Sequence, residues 1–139
     1  MRPIIRLLDF FSPIADLLLR LWVANVFWKS GLNKFQSMDT TVMLFEHEYA
    51  VPYLEPLIAA QLATGVELIF PVLLAVGLMG RFSAGVLFFF NIIAVISYSS
   101  LNPAGIQDHM IWGLMLLIPF LHGPGKISID HFFRQRYMY

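Results

Sequence analysis

One glutamate lies near the middle of a long apolar segment. Glu67 is the only charged residue in the stretch PLIAAQLATGVELIFPVLLAVGLMG, which starts at Pro56 and ends at Gly80. About 20 apolar residues are enough to cross a bilayer as a helix, so this segment is long enough to span one. A carboxylate at that depth is costly unless it is paired, protonated or turned toward a polar interior. The sequence therefore predicts a membrane protein in which Glu67 has a partner inside a helix bundle.

The composition agrees with a membrane protein. Hydrophobic residues make up 58% of the 139 residues and charged residues only 13%, about half the usual charged fraction of soluble domains. We therefore expect residues 1–139 to form one integral, multi-pass domain of the inner (plasma) membrane. Nine basic residues balance nine acidic ones, so no basic field of the kind that binds nucleic acid is expected.

The residue types argue against several kinds of cofactor and metal chemistry. The chain has no cysteine, so it cannot hold an iron–sulfur cluster through thiolates or exchange disulfides itself. A bis-histidine haem is not expected, because His109 and His122 lie far apart on one predicted helix. No metal site is expected either, because nothing in the spacing brings residues 46–48 to Asp108 and His109.

Four helices are predicted to span the membrane as an all-α four-helix bundle, at about residues 13–32, 56–78, 82–101 and 106–122. Pro13 suits a first helical turn, with Ser12 as its N-cap. A short helix at residues 40–49, capped by Asp39, is predicted between the first two spans. It would lie on the membrane surface or fold over the mouth of the bundle.

The basic residues of the short flanks predict the orientation. One side of the bundle collects Arg2, Arg6, Arg81, Lys126, Arg134 and Arg136. Short loops rich in Lys and Arg stay in the cytoplasm, so both termini are expected inside (N-in, C-in).

The first span carries a stripe of polar and small residues on one helical face, at Asp16, Arg20, Ala24, Phe27, Gly31 and Lys34. This face should point into the bundle, with Leu18, Leu21 and Trp22 outward. By residue count, Arg20 lies about 18 Å and Glu67 about 17 Å below the outer ends of their spans. An Arg20–Glu67 contact is therefore predicted, although side chains on antiparallel helices lean toward their own N-termini and so would lean apart.

Other polar residues extend this set into a predicted polar axis. Asn91 should turn inward from the third span, and Asp108 and His109 should lie near the outer mouth with Lys34. The deep members are Asp16, Arg20, Glu67 and Asn91. These groups could bind a polar head group or relay protons, or they could only satisfy one another and fix the helix register.

Three motifs resemble the DoxX family of small four-helix membrane proteins. They are RLWVANVFWKSGLNKF with Arg20, Gly31 and Lys34, then VELIFPVLLAVGLMGRFSAG with Glu67, Gly77 and Arg81, and finally GPGKISID. The third block contributes Gly123, Gly125, Ser128 and Asp130, and we expect Asp130 to cap a short amphipathic helix at residues 131–136. The resemblance implies membrane subunits linked to thiosulfate:quinone oxidoreduction or to redox and detoxification complexes.

Three functions are compatible with these patterns. The first is a redox-associated membrane subunit that binds a quinone or similar lipophilic molecule beside the buried polar groups. The second is a non-catalytic scaffold or assembly partner for other membrane or redox subunits, in which the polar axis is structural. A small-molecule or proton pathway is third, because one four-helix unit seldom encloses a continuous pore.

Overall fold

The computed structural model describes residues 2–138, and within them the protein is helical. Its six helices are α1 (Arg2–Gln36), α2 (Met38–His47), α3 (Pro56–Val76), α4 (Gly80–Ser97), α5 (Pro103–His122) and α6 (Ile129–Tyr137). Three of them, α3, α4 and α5, are long and apolar enough to cross a membrane. The all-helical fold with apolar spans is therefore confirmed.

The first helix differs most from its prediction. α1 begins at Arg2, not at Pro13, and it continues through that proline to Gln36 over 35 residues. Proline removes one backbone hydrogen bond but does not have to end a helix, so Ser12 is not an N-cap. All residues at positions 2–12 are exposed. The predicted inward face is confirmed from Arg20 to Gly31, and Leu18, Leu21 and Trp22 lie on the outer surface.

The other predicted boundaries move by a few residues because of local caps. Gly77, in a left-handed conformation with φ 72°, ends α3, and α4 starts at Gly80. The Asn102 side chain accepts a hydrogen bond from the Gly105 N–H at 2.7 Å, so α5 begins at Pro103. The polar residues 107–109 therefore belong to α5, as predicted, and the helix stops before Gly123.

The packing of α1 against α3 sets the level of every buried polar group. The two helices touch where Gly31 meets Glu67, because a Cβ added to Gly31 would lie 2.8 Å from the Glu67 Cβ. A Cβ on Gly77 would likewise lie 2.5 Å from Nη1 of Arg20. Arg20 is thus level with the end of α3, about three turns or roughly 16 Å from the level of Glu67.

Arg20 holds the segment after α5 against the bundle. Its guanidinium donates to the carbonyl oxygens of Pro124 at 2.5 Å and Ile127 at 2.7 Å. The side chain is buried, and a buried cation needs acceptors of this kind. We call Arg20, the turn 77–80 and the segment 123–130 the clasp.

Asp130 has a different role from the one predicted. The N-cap of α6 is Ser128, whose hydroxyl accepts from the His131 N–H at 3.2 Å. Asp130 instead accepts from the Met79 and Gly80 N–H groups at 2.8 and 2.7 Å. It therefore caps the start of α4, fifty residues away, because free N–H groups at a helix start attract a carboxylate.

The short helix predicted at residues 40–49 is confirmed as α2, between α1 and α3, and it packs over α3. Phe45 of α2 is buried against Ala59, Ala60 and Ala63, whose small side chains allow close approach of the helices. Ser37, not Asp39, occupies the N-cap position. Of the two placements considered for this helix, the one folded over the mouth of the bundle is observed.

The clasp predicts that Gly77→Ala destabilises the protein. The left-handed backbone costs a non-glycine residue about 1–2 kcal/mol. The added Cβ would also lie 2.4 Å from the Ser128 Cβ, and overpacking adds about 1–3 kcal/mol. Gly65→Ala is the matched control, because nothing lies within 4 Å of its Cβ position and alanine favours a helix. Thermal unfolding in detergent should show a lower midpoint for Gly77→Ala only; equal midpoints would contradict the clasp.

Candidate ligand cavity between the helices

A cavity of about 400 Å³ lies between α1, α2, α3, α4 and α5. This volume is within the range of small-molecule sites, about 300–1,000 Å³. Most of the lining is apolar, and its aromatic members are Phe27, Phe45, Tyr49, Phe90 and Trp112. A few polar side chains, among them Lys34, Glu67, Ser97 and His109, converge on it. An apolar pocket with few convergent polar groups is typical of a ligand site.

Glu67 is paired with Lys34 at the wall of this cavity. Lys34 Nζ lies 2.7 Å from Glu67 Oε2, and the two side chains are 17% and 6% exposed. Lys34 also donates to the Ser30 hydroxyl at 2.7 Å. The predicted inward turn of Glu67 toward a basic partner is therefore observed, but the predicted Arg20–Glu67 contact is wrong.

The direction of the side chains explains which basic residue reaches Glu67. Helical side chains lean toward the N-terminus of their own helix. Lys34 lies one turn beyond Gly31 and leans back toward that level, and Glu67 on the antiparallel α3 leans toward Lys34. Arg20 also leans toward the N-terminus of α1, which takes its side chain away from Glu67 and into the clasp. The same side-chain direction that argued against an Arg20–Glu67 contact therefore favours a Lys34–Glu67 contact. The sequence analysis had placed Lys34 nearer the mouth of the bundle.

Asn91 and His109 form a second polar pair beside the cavity. Asn91 Nδ2 donates to the His109 carbonyl oxygen at 2.8 Å, and Asn91 Oδ1 lies 2.6 Å from His109 Nδ1. Because an amide oxygen can only accept, Nδ1 carries the proton, which leaves Nε2 of the neutral ring as an acceptor. The ring packs edge-on against Trp112, with centroids 4.8 Å apart. Asn91 is buried, which agrees with the prediction that its side chain turns into the bundle.

Ser97 is a polar cavity residue that the sequence analysis did not single out. It is the last residue of α4, it is 3% exposed, and it lines the cavity. Its hydroxyl has no hydrogen-bond partner among residues 2–138. The signal that could have found it is its position one turn after Ala94, on the inner face of α4. A buried hydroxyl without a partner is costly, so this group is free to bind a ligand.

The remaining predicted site residues lie elsewhere. Asp108 is exposed, and Asp16 lines a separate polar cavity of about 420 Å³ at the clasp end. The single polar axis is therefore two clusters, one at the clasp and one at the cavity. In the part of the chain that the structure describes, no three His, Asp or Glu side chains are grouped to hold a metal ion.

The ion pair predicts that substitutions of Lys34 and Glu67 have non-additive effects on the free energy of unfolding. Removing one partner of a buried pair leaves an uncompensated charge and costs about 3–5 kcal/mol, whereas removing both costs less. Lys34→Met and Glu67→Gln should each lower the free energy of unfolding, and the double variant should lose less than the sum. Denaturant titration followed by tryptophan fluorescence measures this cycle. Lys29→Met and Glu46→Gln, both exposed, are the controls, and additive losses would show that the pair does not couple.

Comparisons with known proteins agree with the resemblance drawn from the motifs. The DoxX family model matches residues 15–100, which include the two blocks around Arg20 and Glu67. The chain is also similar to an uncharacterized protein of Haemophilus influenzae, with 32% identity over 135 residues, or 91% of this chain and 87% of that protein. No solved structure matches the chain. The protein is a member of the DoxX family.

Proposed function

We propose that this DoxX-family membrane protein binds a lipophilic molecule with a polar head group, of the quinone class, in the cavity at the Lys34–Glu67 pair. The observation that carries the proposal is the position of this pair, on the wall of a cavity whose other lining is mainly apolar. We further propose that it does so as a subunit of a redox-associated complex in the inner membrane.

The cavity offers the contacts that a quinone head requires. A quinone is a planar apolar ring with carbonyl acceptors, and it becomes a hydroxyl donor when reduced. Phe27, Phe90 and Trp112 supply flat apolar walls. Lys34 supplies donors for a carbonyl, and Nε2 of His109 can accept from a hydroxyl. Both oxidation states of such a ligand therefore find hydrogen-bond partners.

The residue types of this chain indicate which steps it would carry out in such a complex and which a partner subunit would supply. The chain has no cysteine, so the electrons would come from a partner subunit. This chain would hold the head group, and Glu67 would exchange a proton with it, because a carboxylate within reach of a bound hydroxyl can act as its acceptor. The family resemblance is the support for the redox partner.

The membrane topology completes the proposal. We place α1 as the fourth span beside α3, α4 and α5, with its buried face against α3. The start of α1, the start of α4, the segment 123–130 and α6 all lie at the clasp end and carry the six basic residues named in the sequence analysis. This end would face the cytoplasm.

A non-catalytic scaffold is the second candidate, and one observation favours it. The buried charged groups already have protein partners, since Lys34 binds Glu67 and Arg20 binds two carbonyl oxygens. Internally satisfied groups of this kind can serve only to fix helix register. The exposed apolar residues of the first helix, including Ile4, Leu8 and Phe10, would then contact another subunit.

Tryptophan fluorescence distinguishes the two candidates. Trp112 lines the cavity, whereas Trp22 and Trp28 are on the outer surface. A Trp22→Phe/Trp28→Phe variant leaves Trp112 as the only tryptophan. We expect a quinone analogue to quench its emission in a saturable titration, because the bound ring would contact the indole. Glu67→Gln in the same background should weaken the affinity for the reduced, hydroxyl-bearing analogue about tenfold, because it removes the charged acceptor of that hydroxyl.

The matched control is the variant that keeps Trp22 and replaces the other two tryptophans. It should show only the weak, linear quenching of a quinone dissolved in the micelle. Equal and non-saturable quenching of the two single-tryptophan proteins would contradict the binding proposal and leave the scaffold.

A further inference from the structure

The cavity reaches the outer surface of the bundle between α3 and α4. Leu62 of α3 and Ile93 of α4 both line it, yet they are 55% and 50% exposed. The cavity is not enclosed, and lining residues that are half exposed mark the side on which it opens. These two side chains face the surroundings of apolar helices, so the opening leads to the acyl chains of the bilayer and not to water.

The end of the cavity under α2 is covered. The rings of Phe45, Tyr49 and Tyr98 follow one another with centroid distances of 4.8 Å at each step. The Ala50 N–H donates to the Ser97 carbonyl oxygen at 3.1 Å, which ties the segment after α2 to the end of α4. Burial raises the pKa of the Tyr49 hydroxyl, so the Tyr49 side chain is uncharged at neutral pH.

The opposite end is filled by aromatic rings. Phe27 packs against Phe90 and Trp112, with centroids 6.4 and 6.1 Å apart. These residues belong to the main buried cluster of the bundle. With a roof above and a packed floor below, the exposed lining residues mark the route. They are Leu62, Ile93 and Leu54, which precedes α3 and is 41% exposed.

Two groups on the cavity wall keep a hydrogen-bond donor that has no acceptor within residues 2–138. The Ser97 hydroxyl has no partner within residues 2–138. The Lys34 ammonium has three N–H groups, and its contacts in the described chain are Ser30 and Glu67. Free donors on a cavity wall call for a ligand that presents acceptors, as a carbonyl group does.

We infer that the occupant is a chain-bearing amphiphile of the bilayer, which enters sideways between α3 and α4. Its carbonyl head accepts a hydrogen bond from Ser97, and its hydrocarbon chain leaves through the gap between Leu62 and Ile93. This inference rests on the proposed function and narrows its ligand class. A cavity of about 400 Å³ is near the lower end for ligand sites, so it holds a ring but not a long chain as well.

Reversible closure of the gap tests the route, and the absence of native cysteine makes it practical. In a Leu62→Cys/Ile93→Cys variant, a bifunctional methanethiosulfonate can bridge the two positions, and a reductant can reopen them. The two probes share one benzoquinone head, and one of them carries a decyl chain. We expect the bridge to weaken binding of the decyl probe at least tenfold and of the tail-free probe less than twofold, with recovery after reduction.

The control is the same variant capped with a monofunctional methanethiosulfonate, which adds bulk without a bridge and should leave both affinities within twofold of the reduced protein. Unchanged binding of the decyl probe after bridging would overturn the side entrance but leave the proposed function. Binding of neither probe to the unmodified protein would remove both.

Ser97→Ala tests the head-group contact. We expect about a fivefold weaker affinity for both quinone probes, the factor that one neutral hydrogen bond gives. Ser99→Ala is the matched control, because Ser99 is exposed and does not line the cavity. An equal affinity of the Ser97→Ala variant would overturn the Ser97 contact.

Addition of phospholipid to the micelles distinguishes two possible occupants that carry a carbonyl group and a hydrocarbon chain, a lipid and a quinone. Displacement of the tail-free probe by the lipid from the reduced protein, but not from the bridged protein, would support the side entrance with a lipid as its occupant. No displacement would support the quinone.

Discussion

The close contact of α1 with α3 at Gly31 and Glu67 is the constraint on which the rest of the structure depends. A glycine lets the two backbones approach, and that register fixes which polar groups share a level. Glu67 meets Lys34 one turn above the contact, and Arg20 is left at the end of α3. The carboxylate that would be costly in hydrocarbon is thereby turned into the bundle. The cavity forms beside this pair, where the small residues of α3 and the cover of α2 leave space.

The two polar clusters have different roles, one structural at the clasp and a proposed one in ligand binding at the cavity. At the clasp, Arg20 and Asp130 satisfy backbone groups of segments far apart in sequence, which joins the α3–α4 turn to the segment before α6. Every contact there is to backbone, as expected of a structural device. At the cavity, Lys34, Ser97 and His109 keep donor or acceptor capacity that the protein does not use. Arg20 Nε at the clasp also lacks a partner within residues 2–138, so the ligand is assigned to the cavity because its lining combines such groups with apolar walls.

Much of the fold follows from sequence patterns, whereas the pairing of the buried charges does not. The apolar runs predict α3, α4 and α5, and the 3–4 residue spacing predicts the inner face of α1. The count of residues from the outer helix ends misplaced Arg20, because those ends are not level. Gly31, which meets Glu67, is five residues from the end of α1, whereas Glu67 is eleven residues from the start of α3. The offset of two helices depends on one small residue, Gly31. Asp130 was likewise misread, since nothing local shows that it caps α4.

A crystal structure grown from a lipidic mesophase tests the central claim most directly. It should place a Glu67 carboxylate oxygen within hydrogen-bond distance of Lys34 Nζ, with both groups turned into the space between α1 and α3. A Glu67 side chain among the lipid tails, or one bound to Arg20, would contradict the account.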